Sequence, residues 1–261
     1  MWDRELKIAK EIAQIAGQEI MAVYNEQADM NVIYKEDASP LTIADQKSND
    51  IIVNTLKKEF PRYAILSEEE KNDLERLKND YCFVIDPLDG TKEFIKRNDQ
   101  FTVNIALSYR NCSVMGVIYV PPTKELYYAV KGEGAYLQDA DGKIKKLYVS
   151  DRIGINNIRV VMSNSHGCIE MEQLLKKYQF EKFVSVGSSL KGCMIARGDA
   201  EVYYRYNPTM EWDTAAMQCI VEEAGAVFRQ MDDSQMTYNR VNSLNEKGFY
   251  IINSFENKLV L

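Results

Sequence analysis

Tyr81-Cys82-Phe83-Val84-Ile85-Asp86-Pro87-Leu88-Asp89-Gly90-Thr91 runs from a buried-strand pattern straight into a cluster of turn residues. Residues 81–86 are aromatic and β-branched, as an interior strand requires. Pro87 is expected to end that strand, and Asp89-Gly90 to force a tight turn. Two carboxylates and the Thr91 hydroxyl then stand together at a strand end, on the edge of a hydrophobic core. Hard oxygen donors of this kind suit Mg²⁺ or Mn²⁺ and not zinc. Lys92-Glu93-Phe94 is expected to begin a helical turn, which would aim the Gly90 and Thr91 amides at an anion. The same composition fits a plain surface turn, and spacing alone leaves both readings open. It excludes two others. An EF-hand loop requires D-x-[DN]-x-[DN]-G and a haloacid-dehalogenase nucleophile motif requires D-x-D, whereas these aspartates are three apart.

The rest of the chain narrows the chemistry. Its 261 residues leave room for one large domain or two modest ones. Lys plus Arg is 32 and Asp plus Glu 39, a net charge of −7, so no electrostatic footprint for nucleic-acid backbone or anionic membrane exists. His166 is the single histidine, which excludes a His-rich metal site and obliges any histidine-based triad to use it. Cys82, Cys112, Cys168, Cys193 and Cys219 are odd in number, scattered and without a CxxC, which argues against a disulfide framework or structural zinc and for a reducing cytoplasm. The N-terminal run lacks the apolar core of a targeting signal, and no apolar run approaches the roughly 20 residues that span a bilayer. An acidic protein can still handle an anionic substrate if metal ions supply the positive charge.

Periodicity extends the picture on both sides. Ala9, Ile12, Ala16, Ile20 and Val23 predict an amphipathic helix over 3–27, and Ile52 and Leu56 a second from Ile43 to Phe60, stopped by Pro61. Residues 32–41 should break the chain between them. A short strand is expected at 64–66 and a charged helix or loop at 68–78. Strands follow at 101–107, 113–120 and 125–130, with turns at 131–134 and at Asp141-Gly142. The first half thus reads as two helices beside a largely antiparallel sheet. The second half alternates: strands at 158–162, 182–186, 200–205, 226–229 and 249–252, and helices at 170–178, 189–197 and 214–224, with Gly225 as a C′ stop. The polar stretch 145–157 divides the chain into parts 1–150 and 151–261.

Three further acidic sites stand at element boundaries. Thr42-Ile43-Ala44-Asp45 and Ser67-Glu68-Glu69-Glu70 each fit a capping box, and Asp213 in Glu211-Trp212-Asp213-Thr214 fits an N-cap. Each is equally a donor that a cleft could gather.

Taken in order, T-x-x-D (42–45), S-E-E (67–69), D-P-L-D-G-T (86–91) and W-D-T-A-A (212–216) resemble the inositol monophosphatase superfamily of Mg²⁺-dependent, lithium-sensitive phosphatases. The motifs span 42–216, most of the chain. Asp89 to Asn98, followed by Phe101-Thr102-Val103-Asn104-Ile105-Ala106-Leu107, resembles the bacterial 3′(2′),5′-bisphosphate nucleotidase (CysQ) branch, because Lys92-Glu93-Phe94 stands where inositol monophosphatases usually have Thr-Asn-Phe.

The resemblance implies an α+β fold, a layered α/β sandwich of the sugar-phosphatase type. Its N-terminal part (1–150) would be metal-binding and its C-terminal part (151–261) substrate-binding. It implies two or three Mg²⁺ ions, with Mn²⁺ as a substitute, held by Glu68, Asp86, Asp89, Asp213 and the Leu88 carbonyl. Asp45, Glu68 and Thr91 take catalytic roles, Thr91 helping to position the attacking water with Asp45 as its partner or as a ligand to a further Mg²⁺. Substrate contacts fall to Asp89, Gly90, Thr91 and Asp213, and to Ser163, His166, Gly187, Ser188, Lys191 and Arg205. Gly187-Ser188-Ser189-Leu190-Lys191 could open a helix N-terminus toward a phosphate, with Lys191 as a point charge. An arginine at 205 suits a second phosphate, where a glutamate would suit sugar hydroxyls. The His166 imidazole could stack on adenine or be structural, Lys191 could be a solvated helix residue, and Arg205 could form a surface salt bridge.

Two positions depart from the pattern. Met217 stands where a small residue follows D-T-A-A, and could narrow the pocket; Asp99 replaces a glycine. The implied activity is removal of the 3′-phosphate of adenosine 3′,5′-bisphosphate, giving AMP and phosphate, in a cytoplasmic monomer or homodimer whose partner is a small nucleotide and not a nucleic-acid polymer. An inositol mono- or polyphosphate phosphatase, a catalytically silent nucleotide-binding sensor and calcium-binding structural loops are the rivals.

Overall fold

The computed structural model describes residues 1–26, 33–34, 40–163, 168–180 and 182–261, with backbone alone at 33, 34, 40 and 41. The expected break at 32–41 therefore lies largely outside the described residues. Helix α1 (Asp3–Asn25) is followed by a two-stranded ribbon, β1 (Ile33–Tyr34) and β2 (Pro40–Leu41), and by helix α2 (Ile43–Glu59). A seven-stranded sheet comes next: β3 (Ala64–Ser67), β4 (Tyr81–Asp89), β5 (Thr102–Tyr109), β6 (Cys112–Val120), β7 (Glu125–Val130), β8 (Gly134–Gln138) and β9 (Ile144–Lys146). Its strands lie in chain order, with β3 parallel to β4 and every other pair antiparallel. The short helix α3 (Thr91–Ile95) leads from β4 toward β5.

The second half supplies β10 (Val160–Ser163), helix α4 (Ile169–Tyr178), β11 (Phe183–Val186), helix α5 (Leu190–Ala196), β12 (Val202–Arg205), β13 (Thr209–Met210), helix α6 (Glu211–Glu223), β14 (Val227–Gln230), β15 (Leu244–Asn245) and β16 (Phe249–Ile252). Five of these strands form a mixed sheet ordered β11-β10-β12-β16-β14, while β13 and β15 pair separately.

Strand alternation explains the layers. Phe83 and Ile85 of β4 face the helices α1 and α2, and Cys82 and Val84 face α5 and α6. Val161, Tyr203 and Ile251 present the second sheet's inner face to those same two helices, and its outer face packs with α4 through Val160, Val202 and Leu174. The result is a helix–sheet–helix–sheet–helix sandwich, the layered fold class the resemblance implies. The middle helix layer joins one core between residues as distant as Leu66 and Ile251. That layer sits tight: a Cβ on Gly116 of β6 would lie 2.4 Å from the Ala216 carbonyl oxygen of α6.

Three local expectations are corrected. Pro87 does not end its strand. The ladder continues through a bulge, with Asp86 opposite Asn104 and Asp89 opposite Thr102, so three steps on β4 face two on β5. Proline has no N–H to give the ladder, and a bulge is where a strand tolerates that loss. Helix α6 begins at Glu211, so Met210 is its N-cap and Asp213 lies in the first turn, where its carboxylate accepts from the Met210 amide at 2.7 Å. Ser67 and Glu70 form no capping box. They flank a turn, and both contact Asn49 of α2, Ser67 donating to its Oδ1 and Glu70 accepting from its Nδ2. The capping box at Thr42 and Asp45 is present.

Gly116→Val places new atoms against the α6 backbone, which cannot give way as a side-chain tip can. Urea unfolding should show a loss of about 1–3 kcal/mol or more; an unchanged midpoint would contradict the close approach.

Candidate active site

The bulge in β4 assembles the first part of the site. It turns Asp86 and Asp89 toward one cleft, and the Leu88 amide donates to Asp86 Oδ1 at 3.1 Å. Gly90, with φ of +95°, reverses the chain into α3. From across the core, the first turn of α6 brings Asp213. One carboxylate oxygen each from Asp86, Asp89 and Asp213 lies within 4.8 Å of the others. Glu68, at the end of β3, lines the same cavity of about 240 Å³, together with Leu88, Gly90 and Thr91.

Asp45 stands behind this wall. Its Oδ2 accepts from the Thr42 amide and hydroxyl, and its Oδ1 accepts from Thr91 Oγ1 at 3.1 Å. Thr91 Oγ1 is also 3.3 Å from the Leu88 carbonyl oxygen. Ser48 of α2 fixes the preceding carbonyl, donating to Pro87 O at 2.7 Å.

These carboxyls are held far from their ordinary acidity. Burial, then the charge of Glu68 and of Asp89, pushes Asp86 well above the usual carboxylate range. Burial and the Asp89 charge raise Asp213 to about 7. Asp45 rises to about 6, again chiefly by burial, with hydrogen bonds from Thr42 opposing. A set of buried oxygens that raise one another's pKa is one a hard divalent cation would relieve, and the donor types fit Mg²⁺ or Mn²⁺.

The same cavity also holds cationic side chains. Lys191 of α5 is buried, with Nζ 2.6 Å from the Ser188 carbonyl oxygen, and burial lowers its pKa to about 8. It is not a solvated helix residue. Arg205, at the end of β12, lines the cavity, and its Nε is buried without a hydrogen-bond partner among the described residues. Among the described residues no salt bridge accounts for it. Ser163 and Arg205 also border a second, apolar cavity of about 120 Å³, lined by Met162, Met171, Leu175 and Tyr206.

Of the expected site residues, all but two line the main cavity. Asp45 reaches it through Thr91, and His166 lies outside the described residues. Gly187 and Ser188 are at the cavity, but their polar groups are engaged. The Gly187 amide donates to Gln100 Oε1, and the Ser188 hydroxyl to Asp89.

A model of the inositol monophosphatase family matches residues 1–255. The chain belongs to the inositol monophosphatase family. Within the family it falls in the CysQ branch. It is 38% identical over 242 residues to the 3′(2′),5′-bisphosphate nucleotidase CysQ of Salmonella typhimurium, covering 92% of this chain and 96% of that one. The Escherichia coli protein of the same name is 37% identical over the same span. Among solved structures, CysQ from Bacteroides thetaiotaomicron superposes with a TM-score of 0.85 at 39% identity, over 96% of this chain and 98% of that one.

Sequence reasoning missed Thr102 and Asn104, buried beside Asp89, and Tyr203, Thr209 and Phe249 in the cavity wall. Tyr203 and Phe249 carry no chemical signal, since aromatic strand residues read as core. Met217, flagged as a departure, is buried in that wall one turn after Asp213 and fills the space opposite Gly192.

The raised carboxyl pKa values fix a sign. Folded protein without divalent cations binds protons more readily than unfolded chain, so the stability these groups contribute is present below about pH 4. It is lost as pH rises through the folded values near 6 for Asp45 and 7 for Asp213. Metal-free protein should therefore be more stable at pH 5.5 than at pH 8, by on the order of a few kcal/mol. Mg²⁺ should raise the melting temperature more at pH 8. Equal stability at the two pH values in EDTA would contradict the clustering.

Proposed function

We propose that this chain is a Mg²⁺-dependent phosphomonoesterase that removes the 3′-phosphate of adenosine 3′,5′-bisphosphate, giving AMP and inorganic phosphate. One observation carries the reading: a single cavity is lined by a three-carboxylate cluster together with Lys191 and Arg205, and Arg205 Nε is buried without a hydrogen-bond partner among the described residues. A buried guanidinium N–H without an acceptor is costly, and a phosphate oxygen would supply the acceptor. Two anionic groups on one substrate, one at the carboxylates through cations and one at the arginine, account for both sets of groups. The CysQ relatives, named as 3′(2′),5′-bisphosphate nucleotidases, support that substrate class.

Glu68, Asp86, Asp89, Asp213 and the Leu88 carbonyl would hold the Mg²⁺ ions, with Mn²⁺ as a substitute. Bound there, divalent cations would neutralise the phosphate oxygens and lower the pKa of water for in-line attack. The chain's own residues would move the proton. Thr91 Oγ1 accepts a proton from the attacking water as its own passes to Asp45 Oδ1, along the 3.1 Å bond already present. Burial keeps Asp45 near 6, close enough to neutrality to receive and release that proton. Thr42 saturates the other oxygen and so fixes which one faces Thr91. Arg205 and Lys191 would receive the 5′-phosphate, and the apolar cavity beyond Arg205 and Ser163 would accept the base.

Phosphate release from adenosine 3′,5′-bisphosphate, inositol 1-phosphate, inositol 1,4-bisphosphate and fructose 1,6-bisphosphate, each with Mg²⁺ or EDTA, tests the assignment. The adenosine compound should be preferred and EDTA should abolish turnover. Preference for an inositol phosphate would move the substrate, and EDTA-insensitive turnover would remove the metal mechanism. Arg205→Ala should lower kcat/KM for the bisphosphate about 10- to 100-fold more than for 3′-AMP; equal losses would take Arg205 out of substrate recognition. Asp45→Asn should cut kcat by about 10²- to 10⁴-fold while leaving Mg²⁺ affinity near wild type. A loss confined to Mg²⁺ affinity would make Asp45 a ligand instead.

A further inference from the structure

We infer that Ser188 and Ser189 serve the metal cluster as positioning residues for Asp89, and are not themselves phosphate ligands. The inference rests on the reading above that Asp89 is a metal ligand. Ser188 Oγ donates to Asp89 Oδ2 at 2.8 Å and Ser189 Oγ donates to the same oxygen at 2.7 Å. Asn104 Nδ2 reaches that oxygen at 3.3 Å and also donates to Ser189 Oγ at 2.9 Å. Thr102 Oγ1 lies 3.5 Å from Oδ2, 2.7 Å from Ser188 Oγ and 2.9 Å from Asn104 Oδ1.

Three donors, the two serine hydroxyls and more distantly Asn104, therefore converge on Oδ2 and none of them is on Oδ1, while Thr102 backs Ser188 and Asn104. A carboxylate oxygen that accepts several hydrogen bonds is already satisfied, which fixes the carboxylate plane and leaves the other oxygen to a cation. The serine hydroxyls each have one proton, and giving it to Asp89 leaves none for a phosphate oxygen.

The cradle is built with care. Thr102, Asn104 and Ser189 are almost wholly buried. Ser188 adopts φ of +55°, a left-handed backbone that serine seldom takes, and it is the strained residue whose hydroxyl reaches Asp89. Both serines come from the turn that leads into α5, so the second half of the chain grips the first through the acid it orients.

Mn²⁺ titration of the resting protein, without substrate and followed by electron paramagnetic resonance, tests the inference. Ser188→Gly removes the hydroxyl at a backbone angle that glycine prefers, so the variant should fold at least as well as wild type, checked by melting in EDTA. Ser189→Ala removes the second donor. Each should weaken Mn²⁺ binding about 10- to 100-fold. The loss of turnover should be the same factor for 3′-AMP and for the bisphosphate, and saturating Mg²⁺ should restore it. Wild-type Mn²⁺ affinity in both variants, with weakened binding of inorganic phosphate, would overturn the inference and make the serines phosphate ligands. Asp89→Asn serves as the reference. If it loses Mn²⁺ while the serine variants keep it, the inference alone falls; if it too binds as wild type, the metal reading falls with it.

Discussion

Four aspartates, two of them buried, cannot crowd one cleft without a counterweight, and this repulsion is the constraint around which the molecule is arranged. Asp86, Asp89 and Asp213 bring their oxygens within 4.8 Å of one another, and Asp45 lies one hydrogen bond behind. Burial of their charge would drive Asp45, Asp86 and Asp213 to take up protons, and their raised pKa values express that tension. What holds them is the rigidity of the elements that carry them. A bulged interior strand supplies two, a capped helix one and the first turn of α6 the last, all fixed by apolar packing that the carboxylates do not contribute to.

The position of α6 is therefore set with particular redundancy. Ala215 and Ala216 let it lie against β6, and Gly116 removes the side chain that would hold it off. Its first residue, Glu211, is fully buried and accepts from the Asn239 and Arg240 amides, with the Arg240 guanidinium 3.3 Å away. Arg76, from the connection between β3 and β4, donates to Asn239 Oδ1 and to the Arg240 carbonyl, so the same network ties the first half of the chain to the start of α6. A buried polar network of this kind specifies one arrangement more sharply than apolar contact does. Here it fixes the helix turn that presents Asp213.

How far the sequence discloses this depends on whether an interaction is local in the chain. The helices α1 and α2, the alternation of β5 and the turn at Gly225 follow from periodicity and from glycine, and they are where they were expected. The 86–91 motif discloses a paired-carboxylate turn, because its residues constrain one another over a few positions. The bulge is less legible, since proline reads as a stop until a partner strand is known to run past it. Asp213 reads as an N-cap because aspartate before a helix usually is one; the start of α6 is displaced by Glu211, whose partners lie 28 and 29 residues later. The Asp89 cradle is the extreme case. Its serines are 99 and 100 residues away, and nothing in a G-S-S-L-K segment says whether its hydroxyls face a ligand or another side chain.

A common feature links the three clustered aspartates. Each commits one oxygen to the protein: Asp86 Oδ1 to the Leu88 amide, Asp89 Oδ2 to its cradle and Asp213 Oδ2 to the Met210 amide. A carboxylate held in this way offers a cation one oxygen in a fixed direction and resists turning to offer two. Calcium sites commonly use bidentate carboxylates and flexible, crowded shells, whereas Mg²⁺ keeps near-ideal octahedral geometry with a few single-oxygen ligands and retained waters. On the proposed reading, the hydrogen bonds that make these acids tolerable without a cation would also shape the cluster for a small, water-retaining one, and a retained water is what a hydrolytic site requires beside a phosphate.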